Sequence, residues 1–128
     1  MTDGFYLLDD QLRFNYINEV AEKIIGRKRD DILGLTAHEV FPKLKGSNLE
    51  HQLLTALQTK EHMEFDENFS KYDGWSHIKL IPLKNGGLAI YFQNIEQQKK
   101  LEEIFPKILP SKSLHIIFLH LSPQKFLL

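Results

Sequence analysis

The chain of 128 residues contains no cysteine. Disulfides, thiolate metal sites, cysteine nucleophiles and cysteine adducts are therefore excluded, and the composition fits a reducing compartment. No charge of one sign dominates. The 16 Lys and Arg stand against 17 Asp and Glu, for a net charge of −1. Without a basic stripe, neither nucleic acid nor an acidic membrane surface is an expected partner. Long hydrophobic runs are also missing. The longest, inside residues 114–121, is broken by His115 and His120 and falls short of the ~20 residues a membrane helix needs. The N-terminal MTDGFYLLDD is acidic, where a secretory signal begins basic and then turns apolar. These absences lead us to expect a cytoplasmic protein, or a cytoplasmic piece of a larger one. There is no glycine-rich phosphate loop, no G-x-S-x-G and no coherent hydrolytic triad, so an enzyme is not expected.

What is present suits one globular domain with a real core. Apolar residues make up 42% and charged residues 26%, both ordinary values. FYLL (5–8) and RFNYI (13–17) are short, aromatic-rich strands joined by polar turn residues. Asn18 then suits a helix N-cap. Val20, Ala21, Ile24 and Ile25 form the apolar stripe of a two-turn helix that Gly26 ends in the left-handed conformation. Asp30 and Asp31 open a second short helix, where acidic groups suit the helix dipole. Ile32 and Leu33 are its expected apolar contacts, and Gly34 closes it. TAHEVF predicts another single turn, ended by Pro42, and KLKG a loop. Residues 47–59 carry Leu49, Leu53, Ala56 and Leu57 at helical spacing, with Ser47 or Asn48 as cap.

Three strands are predicted next, at 62–70, 75–83 and 87–95, with YDG and KNGG as hairpin turns. Pro82 marks an edge strand or a strand terminus. Residues 96–105 form a strong helix with a thin seam of Ile95, Leu101, Ile104 and Phe105. Residues 106–128 contain no acid and hold three of the five prolines. They are read as a tail without an assigned structure: an extra strand, a dimer contact, or the start of a following region.

Two stubby helices after one strand, instead of one long helix, suggest turns that wall a cleft over a sheet. With the order of the other elements, the sequence resembles a PAS domain over residues 3–105. The matching stretches are DGFYLLDDQLRFNYIN, AEKIIGRKRDDILG, VFP, the single Trp75 ahead of Ile81-Pro82, and GGLAIYFQNIEQQKK. The resemblance implies an α+β fold: a five-stranded antiparallel sheet, short helices over one face and a C-terminal exit helix. It makes Asn18 the tie between strand and helices, Gly26 the helix stop, and Trp75 and Pro82 marks of the penultimate strand. It places the signalling junction at Asn94-Ile95-Glu96, where the family has Asp and Thr at the outer positions.

PAS domains act as ligand sensors, cofactor holders or dimerisation modules. The family's cysteine-bound flavin and chromophore types have no attachment residue here. An axial haem ligand would fall on the long helix, but His51 lies off its apolar stripe. His38 is expected at the surface or at a cap, and His62 with Glu64 shares a strand face without a metal pattern. No cofactor is assigned, and haem and non-covalent flavin are disfavoured. The candidate pocket set is Leu7, Tyr16, Ile24, Ile32, Phe41, Leu53, Leu57, Ser76, Ile78, Leu80, Ile90 and Phe92, with core filling as the competing role. Ser76 is the one polar residue in phase with Ile78 and Leu80. On the other sheet face, Ala89, Tyr91, Ile81 and Phe69 are too apolar for open water and call for a cover. The expected function is a sensor module. It takes a small ligand or a partner, forms a homodimer, and relays through helix 96–105 to a histidine kinase, diguanylate cyclase or transcription regulator. The alternative is a ligand-free dimerisation or docking module. A cavity of a few hundred Å³ separates the two.

Overall fold

The computed structural model describes residues 3–69 and 74–104. Its organisation starts at Asn18. Two strands precede this residue, β1 (Gly4–Leu8) and β2 (Phe14–Ile17), and helix α1 (Glu19–Ile25) follows it. The Asn18 side-chain oxygen accepts from the amide of Ala21 at 2.9 Å, the N-cap bond, and from Phe5 on β1 at 3.1 Å. Its amide nitrogen donates to the Asp3 carbonyl at 3.0 Å. One short side chain thus starts a helix and fastens that helix to a strand. Gly26 ends α1 at φ 80, and its N–H donates to the Glu22 carbonyl. Few residues other than glycine adopt that angle cheaply.

Helix α2 (Arg29–Ile32) follows, and then α3 (Ala37–Val40). Thr36 and Glu39 cap α3 reciprocally, a capping box that satisfies two otherwise free amides. Pro42 does not simply stop this stretch. It opens a 3-10 turn, Pro42–Leu44, where its missing N–H costs nothing. The first half of the segment expected to be a loop, Lys43-Leu44, is therefore helical, Lys45 and Gly46 form a turn, and Leu44 is driven into the core. Helix α4 (Asn48–Thr59) is capped by Ser47, whose hydroxyl accepts from the Glu50 amide at 3.1 Å. Of the two apolar contacts expected on α2, Ile32 is fully buried but Leu33 is exposed. Leu33 is the C-cap of α2, with φ −55 and ψ 131, and the chain has left the helical path there.

Strands β3 (Met63–Phe69), β4 (Gly74–Pro82) and β5 (Leu88–Asn94) complete the sheet. The order is β2-β1-β5-β4-β3, antiparallel throughout. Pro82 is the last residue of a central strand, not part of an edge. Successive pairings align Ile17, Tyr6, Ile90, Leu80 and Met63 in one row across the helix-facing side. The next row is Gly4, Phe92, Ile78 and Phe65, and Ser76 with Glu67 lies beyond it. Gly4 is needed for its emptiness. A Cβ there would lie 2.2 Å from the Phe92 ring, which packs across β1.

A register shift between Leu7 and Leu8 breaks the alternation of β2. Phe14 and Ile17, three residues apart, both turn inward and are buried. Tyr16 therefore falls on the outer face opposite Leu7, at 38% exposure, which corrects the inward placement of both residues. Phe69 is corrected in the opposite sense. It follows Met63, Phe65 and Glu67 at steps of two and faces the helices. On the outer face Ala89 is buried, and Tyr91 and Ile81 are half-buried.

The sheet and its helices form one compact unit, Met1–Asn94; a second begins at Ile95. The described part of the second is Ile95 and α5 (Glu96–Ile104), in which Lys99 and Glu102 pair at 3.7 Å and Ile104 is exposed. The readings of Phe105, of residues 106–128 and of most of the YDG turn lie outside the described residues. Among the described residues, no helix is long and apolar enough to cross a membrane.

Candidate functional site

The short helices do not close completely on the sheet. Between them is a cavity of about 350 Å³, within the range of small-ligand sites. Its sheet wall is Tyr6, Ser76, Ile78, Ile90 and Phe92, and its helix wall is Ile24, Ile25, Phe41, Leu44 and Leu49. Phe69 closes one side, and Lys43, Glu67 and Asn68 add polar groups to the lining. The aromatic rings are held by one another. Tyr6 meets Phe92 edge-on with centroids 5.7 Å apart, and meets Phe14 at 5.0 Å. Phe14 in turn meets Phe41 at 6.3 Å.

Of the predicted set, Ile24, Phe41, Ser76, Ile78, Ile90 and Phe92 line the cavity. Ile32, Leu53 and Leu80 do not; they are fully buried in the close-packed core. Leu57 packs against that core, half-buried. Tyr16 faces away, as described above. Instead of lining the cavity, it packs at a tilt against Phe5, centroids 5.8 Å apart, and lies under the Arg29 guanidinium at 5.5 Å. The reading missed Tyr6, Ile25, Leu44, Leu49 and Phe69. Tyr6 was recoverable by stepping back two residues from Leu8. Leu44 was not, because the 3-10 turn that aims it has only Pro42 as a signal.

Two inward hydroxyls sit on the sheet wall. Ser76 is 2% exposed and Tyr6 7%. Neither side chain has a hydrogen-bond partner among the described residues, and no sealed side-chain oxygen or nitrogen there lacks one. Both hydroxyls therefore open to the space they line. Burial pushes the Tyr6 phenol well above its ordinary range, so it remains a neutral donor.

Ionisable groups elsewhere serve the frame. His38 bonds Glu50 and pins α3 to α4, so it is more than a surface group. That bond, with one from the Gly46 amide at 2.9 Å, holds the Glu50 carboxyl below its usual range. His51 is exposed on α4. On the outer face, His77 lies between Asp66, 2.8 Å from Nδ1, and Glu64, 2.9 Å from Nε2. Only an imidazolium donates from both nitrogens. Partial burial lowers the His77 pKa, but the two hydrogen bonds and carboxylate charges outweigh it and leave the value raised. The same bond holds Glu64 low. His62 adds a longer contact to Glu64 at 3.5 Å. Among the described residues, no group of three or more His, Cys, Asp or Glu is placed to hold a metal ion.

A family model described as PAS fold matches residues 1–100. No curated protein sequence matches the chain. Among solved structures, the chain is similar to the PAS domain of the histidine kinase ThkA at 19% identity. The match covers 73% of this chain and 99% of that one, with a TM-score of 0.63. The photoactive yellow protein domain of the sensor histidine kinase Ppr from Rhodospirillum centenum aligns at 14% identity, over 73% and 85% of the two chains, with a TM-score of 0.63. The PAS domain of nitrogen regulation protein NR(II) from Vibrio parahaemolyticus aligns at 22% identity, over 74% and 91%, with a TM-score of 0.56. At these identities the likeness is one of fold.

Proposed function

The chain belongs to the PAS fold family, and on that premise we propose that it is the sensory input module of a signalling protein. It takes a small molecule into the cavity and passes the event through α5 to an output domain. The observation that carries this reading is the cavity itself. Its 350 Å³ lie against β5, through Ile90 and Phe92, and β5 runs into α5 after the single residue Ile95. A ligand that shifts the Phe92 ring acts on the strand nearest the exit in sequence. The mechanism is a population shift, in which occupancy biases two packings of β5 and the junction Asn94-Ile95-Glu96. Several fold relatives belong to histidine kinases, so a kinase is the first output to test; a diguanylate cyclase or a transcription regulator would use the same relay.

The module is expected to act as a homodimer. A ligand-free docking or dimerisation module is the second reading. It draws on the exposed Tyr16 beside Phe5 on the outer face. Native mass spectrometry separates the two. A co-purified mass of a few hundred daltons, lost on denaturation, supports the sensor. A dimer that carries no extra mass, and that binds nothing in a small-molecule screen, supports docking.

A further inference from the structure

The sensor reading leaves the kind of ligand open, and the two buried hydroxyls narrow it. A side-chain hydroxyl donates one hydrogen bond and accepts up to two. Hydroxyls placed in a core are normally paired, because an unpaired one is costly. Tyr6 and Ser76 have no side-chain partner among the described residues, yet both line the cavity. They are not neighbours. Tyr6 pairs with Ile90 and Ile90 with Leu80, so Ser76 lies two strands across and four residues along from Tyr6. Strand geometry puts their Cα atoms roughly 15 Å apart. That backbone span keeps the two hydroxyls from bonding each other, so each is left to a ligand. Between them the wall is apolar: Phe92, Ile78 and Ile90. At close-packed density, about 350 Å³ holds roughly 12 to 15 non-hydrogen atoms.

Building on the sensor reading, we propose that the cavity takes a flat, mostly apolar molecule of one or two rings with a hydrogen-bonding oxygen at each end, one end held by Tyr6 and the other by Ser76. The aromatic walls recognise the body. The two hydroxyls set its orientation and length, as sparse polar groups do in other apolar pockets. The neutral Tyr6 phenol donates to its end at any physiological pH.

The test uses three isosteric probes, 4,4′-dihydroxybiphenyl, 4-hydroxy-4′-methylbiphenyl and 4,4′-dimethylbiphenyl. Equilibrium dialysis gives their affinities for the full chain and for Tyr6→Phe, Ser76→Ala and the double variant. The expected result is a loss of at least fivefold in diol affinity for each single variant, with the dimethyl affinity unchanged. The double variant should bind diol and dimethyl compounds with the same ratio as an oxygen-blind pocket. Thermal melting of the ligand-free proteins provides an independent check. Removing a hydroxyl that has no partner in the fold should leave the melting temperature unchanged or raise it. A lowered melting temperature in Tyr6→Phe and Ser76→Ala would mean that both hydroxyls are bonded within the fold, and would overturn the proposal. If all three probes bind but the variants leave diol affinity unchanged, the inference falls and the sensor reading stands. If none of the probes binds any form, the inference falls, and the sensor reading is decided by the native mass spectrum.

Discussion

Asn18→Ala removes the side chain that makes three hydrogen bonds, and each loss can be weighed separately. The N-cap bond to Ala21 is worth about 1 kcal/mol by the usual cost of replacing a cap with alanine. The Phe5 amide, which donates to the same oxygen, is left part-buried without that partner, at about 1–2 kcal/mol. The part-buried bond to the Asp3 carbonyl adds up to about 1 kcal/mol. The sum is about 2–4 kcal/mol, a large share of the total stability of a typical domain. For a domain of this size that corresponds to a fall in melting temperature of roughly 10 °C. Urea denaturation and thermal melting measure it directly. Thr36→Ala is the internal reference, since it removes an exposed cap and should cost about 1 kcal/mol. Asn18→Asp keeps both acceptor bonds but loses the donor, and should fall between wild type and alanine. If Asn18→Ala costs no more than Thr36→Ala, the tie between β1 and α1 contributes nothing and the reasoning is refuted.

Three further expectations follow from the same structure. Gly87→Ala should destabilise by about 3 kcal/mol or fail to fold, because φ is +89 and the new Cβ would sit 2.2 Å from the Leu8 carbonyl oxygen; melting near wild type would refute it. Gly4→Ala should push the Phe92 ring off β1 and into the cavity, and 4,4′-dimethylbiphenyl affinity should drop at least tenfold; unchanged affinity would contradict the placement of that ring. His77 has a raised pKa and Glu64 a lowered one. The His77 contribution is complete below its unfolded value and fades as pH rises through its folded value. That of Glu64 is present above its unfolded value and is lost as pH falls through its folded value. The pair therefore supports the β3–β4 edge best at mildly acidic pH. His77→Gln should cost up to about 1 kcal/mol at pH 5.5 and much less at pH 8.5, as read by urea midpoints; an equal cost at both pH values would sink the assignment.

The sheet, the caps and the long helix were legible because each rests on local chemistry. Asn18, Gly26, Ser47 and the alternation of β4 announce themselves within a few residues. Most of the sheet side of the cavity wall was legible for the same reason: Ser76, Ile78, Ile90 and Phe92 share one face of regular strands. The failures occur where period two does not hold. The register shift at Leu7 and Leu8 moved Tyr16 to the outer face, and no residue type there marks the irregularity. A core position also cannot be told from a cavity position by pattern alone. Ile32, Leu53 and Leu80 are as apolar and periodic as Ile24 and Phe41, and only the packing of α3 and the 3-10 turn decides which of them face open space. The Pro42 turn was misread because a proline that ends one helix equally well begins the next.

The place of β5 has a consequence for how the protein is made. Though last of the five strands in sequence, it is central in the sheet, with β1 on one side and β4 on the other. During synthesis, two separate hairpins must wait for it with their inner edges unpaired. Neither the common sheet nor the space against Ile90 and Phe92 exists until that strand arrives. Assembly then depends on contacts between residues at opposite ends of the unit, which favours slow, all-or-none folding. A nascent chain halted before residue 88 is an aggregation hazard, and it could bind nothing in a cavity that has not yet formed.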